Sequence, residues 1–278
     1  MRLHFLLLRS LLRNLFRLLS PLPFLLLQAS SFAQIQQPVL GIMHDGNAAL
    51  RPVYGIAASA TLGGVAVENV DAFSCAHSQC FVQTLGSLWM YDSSGSRSIL
   101  DSISGPVPMA LTNDGVLLYS SQTGELLRWN PINGWASSTL PTTSDHTILA
   151  FKPAGDGIDA AVRRDDGLWM EHLAADASIT TFSAIPEDAE NPVRAICLLD
   201  DGYLIATGHA VSLVRSDGSA QEFAIGGVRS FSAMSDSAVE AESSQGNWIF
   251  EQDAGKIRVS LLPGVEPAQT APAGEVAE

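Results

Sequence analysis

The chain has 278 residues, 46% of them hydrophobic, and its 29 acidic against 15 basic side chains give a formal net charge of −14. That length suits one large β domain or two small ones, and the apolar content is enough to fill a core. The acidity argues against nucleic acid and anionic lipid as partners, because it repels phosphate and no later run of Lys and Arg offsets it. It also serves simply to keep a domain soluble.

Residues 1–33 differ from the rest. They carry Arg2, Arg9, Arg13 and Arg17 and no acid, so their removal takes the charge to −18. A basic region, the apolar stretch around Pro21–Gln28 and small residues at Ser31 and Ala33 read as a signal peptide over 1–33, cleaved after Ala33. Pro21 and Pro23 interrupt the apolar stretch, which falls short of the roughly 20 residues that span a bilayer. No stable membrane span is therefore expected once the signal is gone. An uncleaved anchor, or a transit peptide built on the evenly spaced Arg9, Arg13 and Arg17, stays open at this point. Export places the protein in a secreted, periplasmic or envelope setting that permits disulfides. Cys75 and Cys80, five residues apart at a hairpin tip, are the candidate pair, with two free thiols as the alternative. Cys197, inside Ala195–Leu199, reads as a small core residue.

From about residue 70 the chain alternates β-branched and apolar runs with turn signals. A unit of about 40 residues recurs: an apolar strand, an Asp-Gly turn, a second strand, then an outer hairpin. The inner parts are clearest at 109–119, 149–162 and 195–206, and weaker at 72–82 and 231–241. The outer hairpins begin at Ser87–Asp92, Glu125–Asn130, Gly167–His172, Ala210–Arg215 and Asn247–Gln252. Asp114-Gly115, Asp156-Gly157, Asp201-Gly202 and Asp217-Gly218 supply turn residues that tolerate positive φ.

A four-stranded unit of this length is the signature of a propeller blade. The expected fold is all-β, a propeller of about five to six four-stranded blades over 34–263, followed by a disordered tail over 264–278 that is rich in Pro and Ala. The segment Val39–Tyr54 reads as an outer hairpin without inner strands, turning at Asp45-Gly46. It is either an incomplete sixth blade or a hairpin that joins strands from the far end of the chain and closes the ring. Over roughly residues 38–262 the sequence resembles exported bacterial β-propeller repeat proteins of an uncharacterised type, without the Gly-His and Trp-Asp markers of WD40 repeats. The stretch Leu50–Ile56 followed by Ala60–Gly63 adds to that resemblance, which implies a fold and no chemistry.

No chemical motif stands out. The six histidines (4, 44, 77, 146, 172 and 209) form no local zinc motif, so no metal and no cofactor is expected. Asp165-Asp166 and Asp200-Asp201 precede glycines and read as turns, and no calcium loop, Gly-x-Ser-x-Gly elbow or phosphate-binding loop is present. Trp89, Trp129, Trp169 and Trp248 fall at matching places in the repeat and read as packing between blades.

The expected function is therefore a non-catalytic exported scaffold that binds a protein, peptide or glycan through its loops. The alternative is an exported propeller enzyme, a lyase or a metal-assisted lactone hydrolase, for which His146, His209 and Asp159 are the residues to inspect. N-terminal sequencing of the exported protein is expected to start at Gln34; a start at Met1 would remove the cleaved-signal reading.

Overall fold

Short turns tie each strand to the next, so the chain folds as a run of antiparallel meanders. The computed structural model describes residues 39–262 apart from 57–58, 140–145, 156, 175–177 and 254. The expected signal over 1–33 and tail over 264–278 lie outside the described residues.

The first blade holds β1 (Val39–His44), β2 (Ala49–Tyr54) and two short strands, β3 (Thr61–Leu62) and β4 (Val67–Glu68), both paired with β2. The second holds β5 (Val70–Ala76), β6 (Gln79–Thr84), β7 (Ser87–Asp92) and β8 (Gly95–Leu100). The third holds β9 (Met109–Thr112), β10 (Gly115–Ser120), β11 (Glu125–Asn130) and β12 (Gly134–Thr139). The fourth holds β13 (Thr147–Ala154), β14 (Gly157–Arg164), β15 (Gly167–Leu173) and β16 (Ile179–Ile185). The fifth holds β17 (Ala195–Leu199), β18 (Gly202–Ala206), β19 (Val211–Arg215) and β20 (Ala220–Phe223). The sixth holds β21 (Val228–Ser235), β22 (Ala238–Ser243), β23 (Gly246–Asp253) and β24 (Lys256–Leu261). These six four-stranded sheets stand in a ring, a six-bladed β-propeller with no α-helix among the described residues.

The core lies between blades. Six buried apolar clusters occur among the described residues, each drawing on neighbouring blades. The second strand of each full blade has neighbours on both faces, which explains the almost unbroken apolar runs of β10 and β18. In β10, Val116 and Leu118 pack with Phe81, Leu88 and Met90 of the second blade, while Leu117 and Tyr119 pack with Ile148, Phe151 and Ile158 of the fourth. Successive residues point to opposite faces, so one strand serves two seams. The fourth strands have only solvent outside them; β16 is exposed along all but its last residue.

Two details of the turns and aromatics depart from expectation. Gly115 is required for space: a Cβ there would sit 1.9 Å from the Trp129 carbonyl oxygen on the adjoining strand. Trp89, Trp169 and Trp248 each stand third in their strand, but Trp129 stands fifth in β11. Trp129 is also the buried one, with its ring 5.8 Å from that of Phe81 across the seam, edge to face. The shared parity keeps all four on corresponding faces, and the two-residue shift carries Trp129 into the seam.

The N-terminal hairpin makes a blade of its own, with no strand from the far end of the chain in its sheet. It takes inner positions, not the outer ones its sequence suggested: β1 lies beside β21 and β5, while β3 and β4 flank β2. Met43 and Val53 pack with Met234, Ala238 and Ile249 of the sixth blade, and Leu50 packs with Val70, Phe73 and Val82 of the second. Gly41 makes this possible, because a Cβ there would lie 2.6 Å from the Met234 carbonyl oxygen. The first blade is thus a wedge, and β21 and β5 also run close to each other directly.

Leu117, fully buried in a seam, is expected to cost about 2–5 kcal/mol on replacement by Ala. Thr180→Ala on the exposed β16 is expected to stay within about 0.5 kcal/mol. Urea unfolding of the two variants checks both values, and equal losses would contradict a core built from seams.

Candidate functional site

The innermost strand of a blade has a partner on one side only. β5, β9, β13, β17 and β21 are all terminal in their sheets, so their open edges face the ring axis. They line an axial cavity of about 540 Å³, to which the first blade contributes His44 at the tip of β1. Five blades therefore furnish the wall, and the first blade reaches it with one residue, His44.

Charged side chains gather where the inner strands end. The Asp236 carboxylate accepts the His77 backbone N–H at 2.8 Å and lies 3.7 Å from its Nδ1, joining the sixth blade to the second. Lys152 Nζ donates to the Leu199 carbonyl at 2.8 Å and sits 4.0 Å from the exposed Asp200 carboxylate, joining the fourth blade to the fifth. Deeper in, Glu240 and Glu242 border the cavity, with Phe73 and Phe231 beside them. The wall is mixed in character, with apolar and acidic side chains together.

Glu240 is 2% exposed. Its carboxylate accepts the His44 N–H at 2.8 Å and an N–H of the Asn247 amide, which also donates to the His44 carbonyl. Burial pushes the Glu240 carboxyl up to about 8, with the charges of Glu242 and Asp45 adding to it and the two donors opposing it. At the adjoining turn, burial pushes Asp45 up as well. Its Arg51 partner at 2.7 Å and the N–H groups of Asn47 and Ala49 outweigh that and hold it below the ordinary range.

Cys75 and Cys80 face each other across β5 and β6, with sulfurs 2.12 Å apart in a disulfide. Cys197 is the remaining cysteine; it packs at the seam of the fifth and sixth blades, and burial pushes its thiol up to about 12.

The residues marked for a catalytic reading do not converge. His146 precedes β13, half-buried, with an Nδ1 that has no hydrogen-bond partner. Asp159 lies toward the other end of the β13–β14 pair, opposite Lys152, and binds His172 Nδ1 at 3.0 Å. His209 is exposed in the turn between β18 and β19 of the next blade. None of the three borders the axial cavity. No group of three or more His, Cys, Asp or Glu suited to hold a metal occurs among the described residues.

Sequence reasoning passed over Glu240 and Asn247. The signal was available: Glu240 stands third in β22, where β6, β10 and β18 carry Phe81, Leu117 and Leu204 and only β14 carries another acid, Asp159, which has His172 beside it. A carboxylate at an apolar place in a repeat has to be explained by a local partner.

No family model and no curated protein matches the chain. Solved structures do. A chain of a nidogen/laminin complex aligns at 6% identity with a TM-score of 0.54, over 81% of this chain and 92% of that one. PorZ, a surface component of the type-IX secretion system of Porphyromonas gingivalis, aligns at 13% identity and a TM-score of 0.44 over 78% of this chain. This chain spans only 36% of the PorZ chain. A streptogramin B lyase aligns at 14% identity and a TM-score of 0.44, over 70% and 69% of the two chains. At these identities the likeness shows the propeller fold alone.

Thiol titration of the unfolded, unreduced protein is expected to count one free thiol, Cys197, rising to three on reduction. In the folded protein that thiol should react slowly, since thiolate is scarce far below its raised pKa. Three free thiols before reduction would refute the bridge.

Proposed function

We propose that the mature chain is an exported, non-catalytic scaffold that receives a protein or peptide partner at the charged rim of the axial cavity. The observation that carries this reading is the rim itself. Closure of the ring brings Asp236 of the sixth blade to His77 of the second, and Lys152 meets Asp200 across the seam of the fourth and fifth blades. Below them lies a cavity of about 540 Å³ with both apolar and acidic walls. Concave sites with an apolar lining and a few placed polar groups are where ligands bind.

The acid-rich rim suits a basic or amide-rich segment entering along the axis, where the open edges of five inner strands offer backbone donors and acceptors. Export rests on residues 1–33 as read from sequence. The bridge between Cys75 and Cys80, at a hairpin that borders the cavity, fits an oxidising compartment. The enzymatic alternative draws no support from His146, His209 and Asp159, which stand apart from one another and from the cavity.

Screening the mature protein against peptide and glycan arrays tests the proposal. Saturable binding of a peptide class, weakened about tenfold or more by Asp200→Lys, is expected, since reversing a rim charge acts directly on electrostatic complementarity. Binding of glycans alone, or binding indifferent to Asp200→Lys, would sink the rim reading.

A further inference from the structure

The seam between the first and last blades differs from the others in its polar content. At the tip of β1 the backbone of His44 pairs with no strand of the sixth blade, yet both of its polar groups are engaged. The N–H reaches Glu240 at 2.8 Å, and the carbonyl receives Asn247. Asn247 also donates to Glu240, so two side chains take the place of a neighbouring strand. Both are almost fully buried, at 2% exposure each.

We propose that Glu240 and Asn247 form a pH-responsive latch that holds the first blade in the ring in acid solution and weakens as the solution becomes alkaline.

The argument starts from the surroundings. The charged groups acting on Glu240 are of its own sign, Asp45 beyond the end of β1 and Glu242 two residues along β22; on β23 its cross-strand partner is the apolar Ile249, and Glu251 pairs with Ala238. β21 places the uncharged Ser232 opposite it. The nearby cation on β2, Arg51, is engaged with Asp45 at 2.7 Å. His44 itself adds an imidazole whose Nδ1 is buried without a hydrogen-bond partner. A second negative charge at this place has no counterion, so the neutral acid is favoured in the folded ring.

The direction in pH follows from proton linkage. An unfolded Glu ionises near 4.5, whereas the folded group is pushed up to about 8. Between these values the native state holds more protons than the unfolded or opened state. The contribution of Glu240 is therefore complete below about 4.5, declines as pH rises, and is lost once pH passes about 8. A Gln at this place stays neutral throughout; its carbonyl oxygen can accept one of the two N–H groups and its NH2 can accept neither, so the variant lowers protection at every pH but removes the pH dependence.

The test uses the intact protein. Hydrogen exchange of the amides from 41 to 53, expressed as protection relative to those of β9 and β10, is followed from pH 5 to pH 9. Relative protection is expected to fall about tenfold or more in the wild type, because one unit of pKa shift corresponds to a factor of ten. It should stay flat in Glu240→Gln and still fall in His44→Asn, which keeps the backbone that the latch grips. A flat wild-type profile, or a fall abolished by His44→Asn and kept by Glu240→Gln, would overturn the proposal. Should Glu240→Gln fail to fold, the carboxyl carbon of Glu240 in the wild type decides by its NMR titration. A midpoint near 8 supports the latch, and one near 4.5 refutes it.

Discussion

Packing of one blade face upon the next is the interaction on which this structure depends. A single four-stranded meander has two apolar faces and no helix to cover either, so it is stable only between two neighbours. The six clusters of buried side chains meet that need in turn. Strand character follows from it. Second strands such as β10 are buried on both faces, fourth strands such as β16 are exposed, and first strands face the axis.

A ring needs one more seam than a row of the same blades, and the chain supplies it with its shortest-stranded blade. β3 and β4 have two residues each, so the first blade brings little surface of its own. It compensates by proximity. Gly41 lets the backbone of β1 approach that of Met234, Met43 and Leu50 fill the seams on either side, and Glu240 with Asn247 grip the backbone of His44. A polar clamp there costs desolvation that an apolar seam avoids, and it ties ring closure to a titrating group. The same closure brings Asp236 to His77, so rim and seam share an origin.

The repeat was legible because strand pairing is local. Ser87–Asp92 and Glu125–Asn130, picked out as strands by their apolar pattern and flanking turns, are β7 and β11. What the sequence left open depends on residues far apart in the chain. Whether Val39–Tyr54 completes a distant sheet or stands alone is decided by Met234 and Ile249, about 200 residues away. Its place near the axis was misjudged for the same reason. Gly115 looked like a turn residue because spacing reveals the hairpin and hides the Trp129 carbonyl that crowds it. The histidines chosen for inspection were selected without knowledge of which strand ends meet the axis, and the cavity takes His44 and His77 instead. Glu240 was readable as a misfit within the repeat, but its partner is the backbone of His44, which carries no side-chain signal.

The central claim is that the first blade is an integral member of the ring and no appendage to five closed blades. The direct measurement compares thermal unfolding of a chain beginning at Gln34 with that of a chain beginning at Asn69, which lacks β1 to β4. The account predicts that the shortened chain, with Val70, Phe73, Met234 and Ile249 uncovered, loses its cooperative transition. A shortened chain that melts cooperatively within a few degrees of the longer one would contradict it, and would mean that β21 and β5 close the ring by themselves.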